Sequence, residues 1–314
     1  MTFEVSNRIK LSLVHSVLAV GLLAFHVHAE SSIVSGNDIG LWERIILGPD
    51  YFTPMDKVFF VILIILAMEL LNFLVKNSGL WMDSKQIPVR GKHLDDLSQR
   101  DKLFISISKA QTGPFVYFFL RYCFSEPNVL WSLKDISLRT VLLPLPVFFL
   151  VFDFFYTSLH WALHVKSIYG YVHKHHHTQK APSRANNDAV NVHPLEFFLG
   201  EYNHLWTLFL CCRYFDLQVH AVGTLLFLAV GGILAGWNHT RFDITFSLLG
   251  ITIFDSKAHD VHHRIPQSNY GQYTMFWDRV FGTYRAYDPK DRVNPKSQLD
   301  PKTGKSLSYT TKAQ

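Results

Sequence analysis

Long apolar runs alternate with polar, often basic segments along most of this 314-residue chain. The clearest run, Val58–Val75, is apolar except for Glu69 and Asn72, and its length suffices for a helix to cross the apolar core of a bilayer. A second run, Leu138–Leu159, is also strongly apolar. The pattern therefore predicts an all-α membrane protein, a multi-span transmembrane helical bundle.

The remaining apolar runs complete two predicted membrane hairpins. Leu103–Phe124 and Leu138–Leu159 form the first, and two prolines near the start of its second arm are expected to kink it. Pro194–Phe215 and Val219–Trp237 form the second. Each hairpin returns the chain to the side on which it started. Residues 76–102 are basic, which places that side in the cytosol under the positive-inside rule.

The N-terminal apolar run, residues 11–28, follows Arg8 and Lys10. This arrangement is typical of a signal peptide or of a first membrane anchor. The residues around Val27-His28-Ala29 match a small-x-small cleavage site poorly. The pattern favours an uncleaved anchor, with a cleaved signal peptide as the alternative.

The composition favours a membrane protein over a nucleic-acid-binding one. Hydrophobic residues make up 48% of the chain and charged residues 18%, and the formal net charge is +5. Beside long apolar runs, this basic balance indicates cytosolic loops near an anionic leaflet, and no nucleic-acid partner is expected. Cys123, Cys211 and Cys212 form neither a disulfide framework nor a Cys-x-x-Cys motif. Metal chemistry would therefore use nitrogen and oxygen ligands.

Thirteen of the 17 histidines lie from His160 onward, and eight of them form three boxes. The first box has the spacing His-x-x-x-His, and the other two share His-x-x-His-His. Residues three and four apart lie on one face of an α-helix, so each box presents its imidazoles together. Eight imidazoles are too many for one tetrahedral zinc and suit two metals that keep open positions. The box residues are His160, His164, His173, His176, His177, His259, His262 and His263.

The order of the boxes between the apolar runs resembles the membrane fatty acid hydroxylase superfamily over Leu138–Tyr287. Further motifs are similar to those of its branch of sterol desaturases and methylsterol oxidases. These motifs are His193-Pro194-Leu195-Glu196, Trp237-Asn238-His239, Asn269-Tyr270-Gly271-Gln272-Tyr273, Trp277-Asp278-Arg279 and Gly282-Thr283-Tyr284.

The resemblance implies a histidine-ligated di-metal site with two non-haem irons, capped by cytosolic helices. It adds His239 to the eight box histidines as a ligand and leaves His193 as a possible tenth. His175 matches a variable position and is expected to lie outside the metal ligands. Because imidazoles bring no negative charge, nearby carboxylates are expected to accept their ring N–H groups. The candidate carboxylates are Asp153, Asp188, Glu196, Asp243, Asp255 and Asp260.

The predicted domain organisation has three parts. Residues 1–102 hold N-terminal membrane anchor segments and a basic cytosolic loop, and residues 103–287 form the catalytic membrane domain. Residues 288–314 form a polar flexible tail. The aromatic run from Tyr270 to Tyr284 is too polar to span a membrane, and we expect it to cap the metal site.

The activity implied by the resemblance is that of an oxidoreductase, an O2-dependent monooxygenase or desaturase of sterol biosynthesis. Its substrate would be a sterol or sterol precursor, which it would hydroxylate, desaturate or epoxidise. Electrons from NAD(P)H would come through a b-type cytochrome and its reductase. The expected location is the endoplasmic reticulum membrane, with the boxes facing the cytosol.

Two alternatives stay open. The first is a fatty acid or sphingolipid hydroxylase. The second belongs to another class, a histidine-rich zinc-binding membrane transporter. Transport favours ligands near the bilayer midplane, whereas these boxes follow the predicted spans.

Overall fold

The computed structural model describes residues 40–90 and 93–288. The predicted anchor at residues 11–28 and the tail beyond residue 288 lie outside these ranges. The helices are α1 (Leu41–Leu47), α2 (Pro54–Trp81), α3 (Gln99–Ser125), α4 (Leu138–Val141), α5 (Pro144–Leu163), α6 (Lys166–Tyr169), α7 (Asn186–Ala189), α8 (Pro194–Arg213), α9 (Ala221–Asn238), α10 (Ser256–Arg264) and α11 (Phe276–Phe281). The strands are β1 (Val129–Leu130), β2 (Val219–His220), β3 (Thr245–Leu248) and β4 (Ile251–Asp255).

Side-chain caps determine where the first two long helices begin. Before α2, Thr53 Oγ1 accepts from the backbone N–H of Asp56 at 3.3 Å, and the Asp56 carboxylate accepts from the Thr53 N–H at 2.9 Å. Ser98 and Asp101 form the same reciprocal pair at the start of α3. Each pair satisfies N–H groups that have no intrahelical partner.

The two arms of the first predicted hairpin contain prolines in different settings. Its first arm is one continuous helix, α3, which runs through Gly113-Pro114. A Cβ at Gly113 would lie 2.9 Å from the Val61 methyl carbons, so the glycine lets α2 and α3 pack closely. The second arm is interrupted near its prolines, where a kink was expected: α4 ends at Val141, and α5 begins at Pro144. Proline fits the first turn of a helix because its missing N–H would be unpaired there.

Three helical segments within the described ranges are long and apolar enough to cross a membrane. α3 and α8 fall outside this set, so each predicted hairpin contains one helix of membrane-spanning composition and one helix that is not. The number of crossings therefore stays a prediction. The three segments are Pro54–Trp81, Leu138–Leu163 and Ala221–Asn238.

The long helices pack as a bundle around an aromatic core. α3 contacts α2 and α8, α5 contacts α8, and α9 contacts α2 and α5. Phe119, Phe148 and Phe227 are fully buried between them. By contrast, α2 exposes large apolar side chains such as Phe59 and Leu63, as expected of a helix that contacts lipid.

The all-α prediction needs a correction, because the mostly helical fold includes two small sheets. β1 and β2 pair in parallel, and β3 and β4 form an antiparallel hairpin. At its turn, Leu249 and Gly250 both have positive φ, 51° and 78°. Such turns match the twist of two strands. The β-branched and aromatic residues of this segment favour strands. The prediction for this region rested on the histidines on either side and did not use them.

Candidate metal centre

The ends of the bundle helices bring the predicted site together at one end. His160 and His164 lie at the end of α5, His239 follows α9, and Glu196 lies in the first turn of α8. α10 carries the third box on a helix, as expected. All three boxes therefore lie at the same end of the bundle. The side of the membrane that this end faces stays a prediction.

The second box does not lie on an α-helix, contrary to the prediction. After α6, the chain forms turns and a 3₁₀ turn at His176–Thr178. Its bonds are short-range: the N–H of His176 donates to the carbonyl of His173 at 3.1 Å, and that of Thr178 donates to His175 at 3.0 Å. This tighter winding directs His176 to a different neighbour set from His173 and His177.

The nine predicted ligands, all buried except the half-buried His164, divide into two groups, and within each group the candidate ligand atoms lie within 4.8 Å of one another. The five-histidine group consists of His160, His164, His173, His177 and His262. The four-histidine group consists of His176, His239, His259 and His263. The groups are adjacent, with 5.1 Å between the ring centroids of His177 and His263.

The box spacing explains this division. Histidines four apart stay in one group, as do His173 and His177, or His259 and His263. Neighbouring histidines point in different directions, so His262 joins the five-histidine group. A His-x-x-His-His box thus supplies two imidazoles to one group and one to the other.

The ring nitrogens face each other in an arrangement that suits metal ions. In the five-histidine group, the Nε2 atoms of His160 and His177 lie 3.0 and 2.9 Å from Nε2 of His173. In the four-histidine group, Nε2 of His259 lies 3.1 Å from Nε2 of both His239 and His263.

The opposite ring nitrogens determine which tautomer is present. Nδ1 of His160 donates to the Tyr270 carbonyl at 2.8 Å, and Nδ1 of His263 donates to the Gln179 carbonyl at 2.9 Å. His239 donates to a carbonyl in the same way, to Ala235 at 2.8 Å. A carbonyl can only accept, so Nδ1 carries the proton and Nε2 presents a lone pair. Facing lone pairs repel each other unless a cation lies between them, so the residues fit metal ions.

Burial keeps the imidazoles in the neutral form that binds metals. Loss of solvation lowers the pKa of His173 and His263 well below 6.5, and the neighbouring imidazoles lower it further. The same causes lower the pKa of His176, His177, His259 and His262. At neutral pH these side chains therefore present uncharged nitrogen donors.

Only one of the six candidate carboxylates contacts a box histidine. Glu196 Oε1 accepts from His173 Nδ1 at 2.6 Å. This contact fixes the orientation of that ring and makes its Nε2 more basic. Where another imidazole of the two groups has a hydrogen-bond partner at Nδ1, that partner is a backbone carbonyl. Carbonyls therefore accept the ring N–H groups that we expected carboxylates to accept.

The other five candidates stabilise the surroundings of the site. Asp153 accepts from the N–H groups of Tyr273 and Thr274 at 3.0 and 2.6 Å. Three more form ion pairs with basic side chains, and the fifth accepts from a backbone N–H as the cap of α10. These contacts are Asp188 with Arg184, Asp243 with Lys257, Asp260 with Arg241, and Asp255 with the Lys257 N–H.

Two histidines near the boxes lie outside both groups. Nδ1 of His193 accepts from the Leu195 N–H at 3.2 Å, so this residue caps α8 instead of joining the metal groups. His175 lies 2.9 Å from Asn191 Oδ1 and 3.1 Å from Asp101 Oδ1. Sequence reasoning missed Asp101, which had no box nearby to indicate its role.

The aromatic segment packs against the five-histidine group, where we expected it to lie. Tyr270 accepts from His160, and the Asp278 carboxylate accepts from the N–H groups of Tyr270 and Gly271 at 2.7 and 2.8 Å. Deeper in the bundle, Tyr273 Oη lies 2.9 Å from His204 Nε2. The segment therefore closes one side of the site and contributes a phenol to the interior.

A cavity of about 210 Å³ extends from this site into the bundle. Residues of α2, α3, α5, α8 and α9 line it, and most of the lining is apolar. His160 and Glu196 lie at the end next to the five-histidine group. Tyr156 and Glu201 are polar lining residues farther along α5 and α8.

Comparison with known proteins identifies the class. Residues 145–283, which contain both histidine groups, match the fatty acid hydroxylase family model. The predicted resemblance is confirmed.

Relatives are similar over about half of the chain. Methylsterol monooxygenase 1 of Rattus norvegicus is 33% identical over 46% of this chain and 49% of its own. A cholesterol 25-hydroxylase-like protein of Caenorhabditis elegans is 30% identical over 46% of each chain. The Delta(7)-sterol-C5(6)-desaturase of Nicotiana tabacum is 26% identical over 49% of this chain and 54% of its own.

These relatives are oxidoreductases, the class predicted from the sequence, and they fall in the predicted sterol branch. The chain spans about half the length of the curated relatives that it matches. No solved structure matches it significantly.

Proposed function

We propose that this protein is an O2-dependent membrane oxidoreductase with two non-haem irons, which oxidises a sterol or sterol precursor. The observation that carries the proposal is the pair of adjacent buried groups in which imidazole Nε2 atoms face each other. Iron is favoured over zinc because the fatty acid hydroxylase family is iron-dependent. Bound iron would supply the redox chemistry with O2 that an unactivated carbon requires.

The protein's own residues orient and shield the centre. Carbonyls and Glu196 hold the ring N–H groups, so the nitrogen donors are fixed before a metal binds. Nearly complete burial of His262 and His263 excludes water. The aromatic segment that begins at Tyr270 covers His160.

The substrate class is supported by the cavity and by the relatives. The cavity is mostly apolar and lies between helices that include the three of membrane-spanning composition, so a lipid could reach His160 from the bilayer. The relatives are by name methylsterol monooxygenases, a cholesterol 25-hydroxylase-like protein and a sterol desaturase. Since these names include both hydroxylation and desaturation, we propose the sterol class and leave the reaction as hydroxylation, desaturation or epoxidation.

The remaining parts of the proposal concern electrons and location. We propose that a b-type cytochrome and its NAD(P)H reductase supply electrons, and that the protein is a multi-pass protein of the endoplasmic reticulum membrane with its histidines facing the cytosol. A fatty acid or sphingolipid hydroxylase is the second candidate, favoured by the family model itself. A zinc transporter is disfavoured because five imidazoles in one group exceed the four ligands that zinc takes.

The experiment that tests the proposal is oxidation of defined lipids by the purified full-length protein in lipid nanodiscs. Iron and zinc are quantified first; then reductant, O2 and either a methylsterol, cholesterol or a ceramide are supplied. Two irons and an O2-dependent sterol product support the proposal. Zinc alone, with no product from any lipid, would overturn it.

A matched pair of histidine variants checks the site. His176→Ala is expected to abolish turnover while membrane insertion stays intact, since His176 belongs to the four-histidine group. His220→Asn serves as the control, because His220 caps α9 at a site outside both groups and asparagine can keep that cap. Full activity in His176→Ala would contradict the assignment.

A further inference from the structure

Glu201 presents a carboxyl group to an apolar cavity. It lies on α8 and lines the cavity together with Phe115, Phe152 and Leu228. Its neighbour Gly200 faces open space, since a Cβ there would meet only Tyr156, at 3.7 Å. Within the described ranges, the Glu201 carboxyl has no hydrogen-bond or ion-pair partner.

This placement is costly unless the carboxyl group has a partner. A carboxylate that leaves water for an apolar site loses solvation that only a hydrogen bond or an opposite charge restores. Lys109 also lines the cavity, but its Nζ donates to Glu69 of α2. An ionisable residue inside a membrane bundle is a functional candidate for this reason.

The position of Glu201 relates it to the metal centre. Glu196, which holds His173, precedes it by five residues on α8, so Glu201 lies about 7 Å farther along the helix. On α5, the Tyr156 ring is 5.5 Å from that of His160, between centroids, and Tyr156 also lines the cavity. Tyr273 lines the same cavity as Tyr156 and Glu201.

We propose that Glu201 binds the hydroxyl group of a sterol alcohol and so positions the substrate for oxidation. The inference rests on the proposed function. The alcohol O–H donates to the Glu201 carboxylate, and the Tyr156 phenol donates to the alcohol oxygen. Because Glu201 lies roughly 7 Å beyond the level of Glu196, the oxidised carbon is several bonds away from the carbon that bears the hydroxyl.

The test measures binding separately from turnover. A fluorescent sterol with a free 3-hydroxyl and its 3-methyl ether are titrated into full-length protein in nanodiscs, with energy transfer from tryptophan as the signal. The ether can accept a hydrogen bond but cannot donate one to Glu201. Because burial raises the pKa of Glu201 to about 7, the titrations are done above that pH, where the carboxyl is ionised. Wild type is then expected to bind the alcohol about 10- to 100-fold more tightly, the range of a hydrogen bond to a charged group.

Variants assign that preference to Glu201. Glu201→Leu is expected to bind both sterols equally, Glu201→Gln to keep a preference of a few fold, and Tyr156→Phe to lose part of it. Tyr117→Phe is the control, since Tyr117 donates to the Pro49 carbonyl away from the cavity. If Glu201→Leu does not fold, as judged by size-exclusion chromatography, the Gln variant carries the test.

The outcomes separate this proposal from the broader one. Equal binding of both sterols by wild type, or an undiminished preference in the folded Leu or Gln variant, overturns the role of Glu201 while sterol oxidation can still stand. Absence of lipid oxidation by wild type overturns the proposed function, whereas the binding preference still reports on Glu201. No binding of either sterol to wild type overturns the present proposal.

Discussion

The contact between Glu196 and His173 makes a graded prediction about metal affinity. Glu196 Oε1 accepts from His173 Nδ1 at 2.6 Å, and both side chains are buried. A hydrogen bond to a charged group contributes about 1.5–3 kcal/mol, which corresponds to roughly 10- to 100-fold in affinity. Glu196→Gln keeps a neutral acceptor and is expected to weaken metal binding about tenfold. Glu196→Ala leaves Nδ1 unpaired and is expected to weaken it about 100-fold.

The assay is an anaerobic titration of metal-free, full-length protein with Fe(II) against a competing chelator. His173 belongs to the five-histidine group alone, so one of two binding phases should weaken while the other stays unchanged. Glu126→Gln makes the same chemical change in a buried carboxylate that binds Tyr122 and Arg213, and should change neither phase. Equal weakening of both phases, or no change in the Ala variant, would refute the reasoning.

Three further predictions concern the scaffold. Asp153→Ala leaves the N–H groups of Tyr273 and Thr274 without their acceptor and should destabilise the protein by about 2–4 kcal/mol; thermal unfolding in nanodiscs measures it, and an unchanged midpoint would argue against the contact. Gly236→Leu should prevent accumulation of folded protein, because a Cβ there would lie 2.5 Å from Asn186 Oδ1; normal yield in size-exclusion chromatography would contradict that close packing. Thr53→Ala should cost about 1 kcal/mol through loss of the α2 cap with iron content unchanged, so a loss of iron would show that the cap acts on the site.

The grouping of the histidines could be predicted further than the secondary structure around them. The boxes indicated two metals, the resemblance added His239, and the nine histidines fall into two groups; their role as metal ligands stays a prediction. The assignment of each histidine to a group was not predicted, although the box spacing explains it once the structure is known: histidines four apart share a group in the second box, which is wound as turns and a 3₁₀ segment, as well as in the helical third box. His176 and His177 are neighbours in sequence yet belong to different groups.

The partners of the imidazoles were also beyond sequence reasoning. Carboxylates can be counted in a sequence, whereas the carbonyls of Tyr270 and Gln179 become acceptors only once loops fold against the boxes. Glu196 was found because it lies in a motif, and Asp101 was missed because it lies 90 residues before its partner Asn191. Contacts of this range depend on tertiary structure.

The hairpin of β3 and β4 shows a similar limit. Apolar residues such as Phe246 and Ile251 are frequent in it, and it follows α9 after six residues, where a helix would be expected in a membrane protein. The turn at Leu249-Gly250 requires two positive φ angles. Leucine rarely adopts a positive φ, so the residue types do not indicate this turn. The composition of this segment therefore did not predict that it forms two strands.

The metal stoichiometry of the purified full-length protein tests the central claim most directly. The two histidine groups predict two irons per chain in wild type, each with nitrogen donors by X-ray absorption, and one iron in His176→Ala, which leaves the five-histidine group intact. A single metal per wild-type chain, or iron bound through sulfur, would contradict the account.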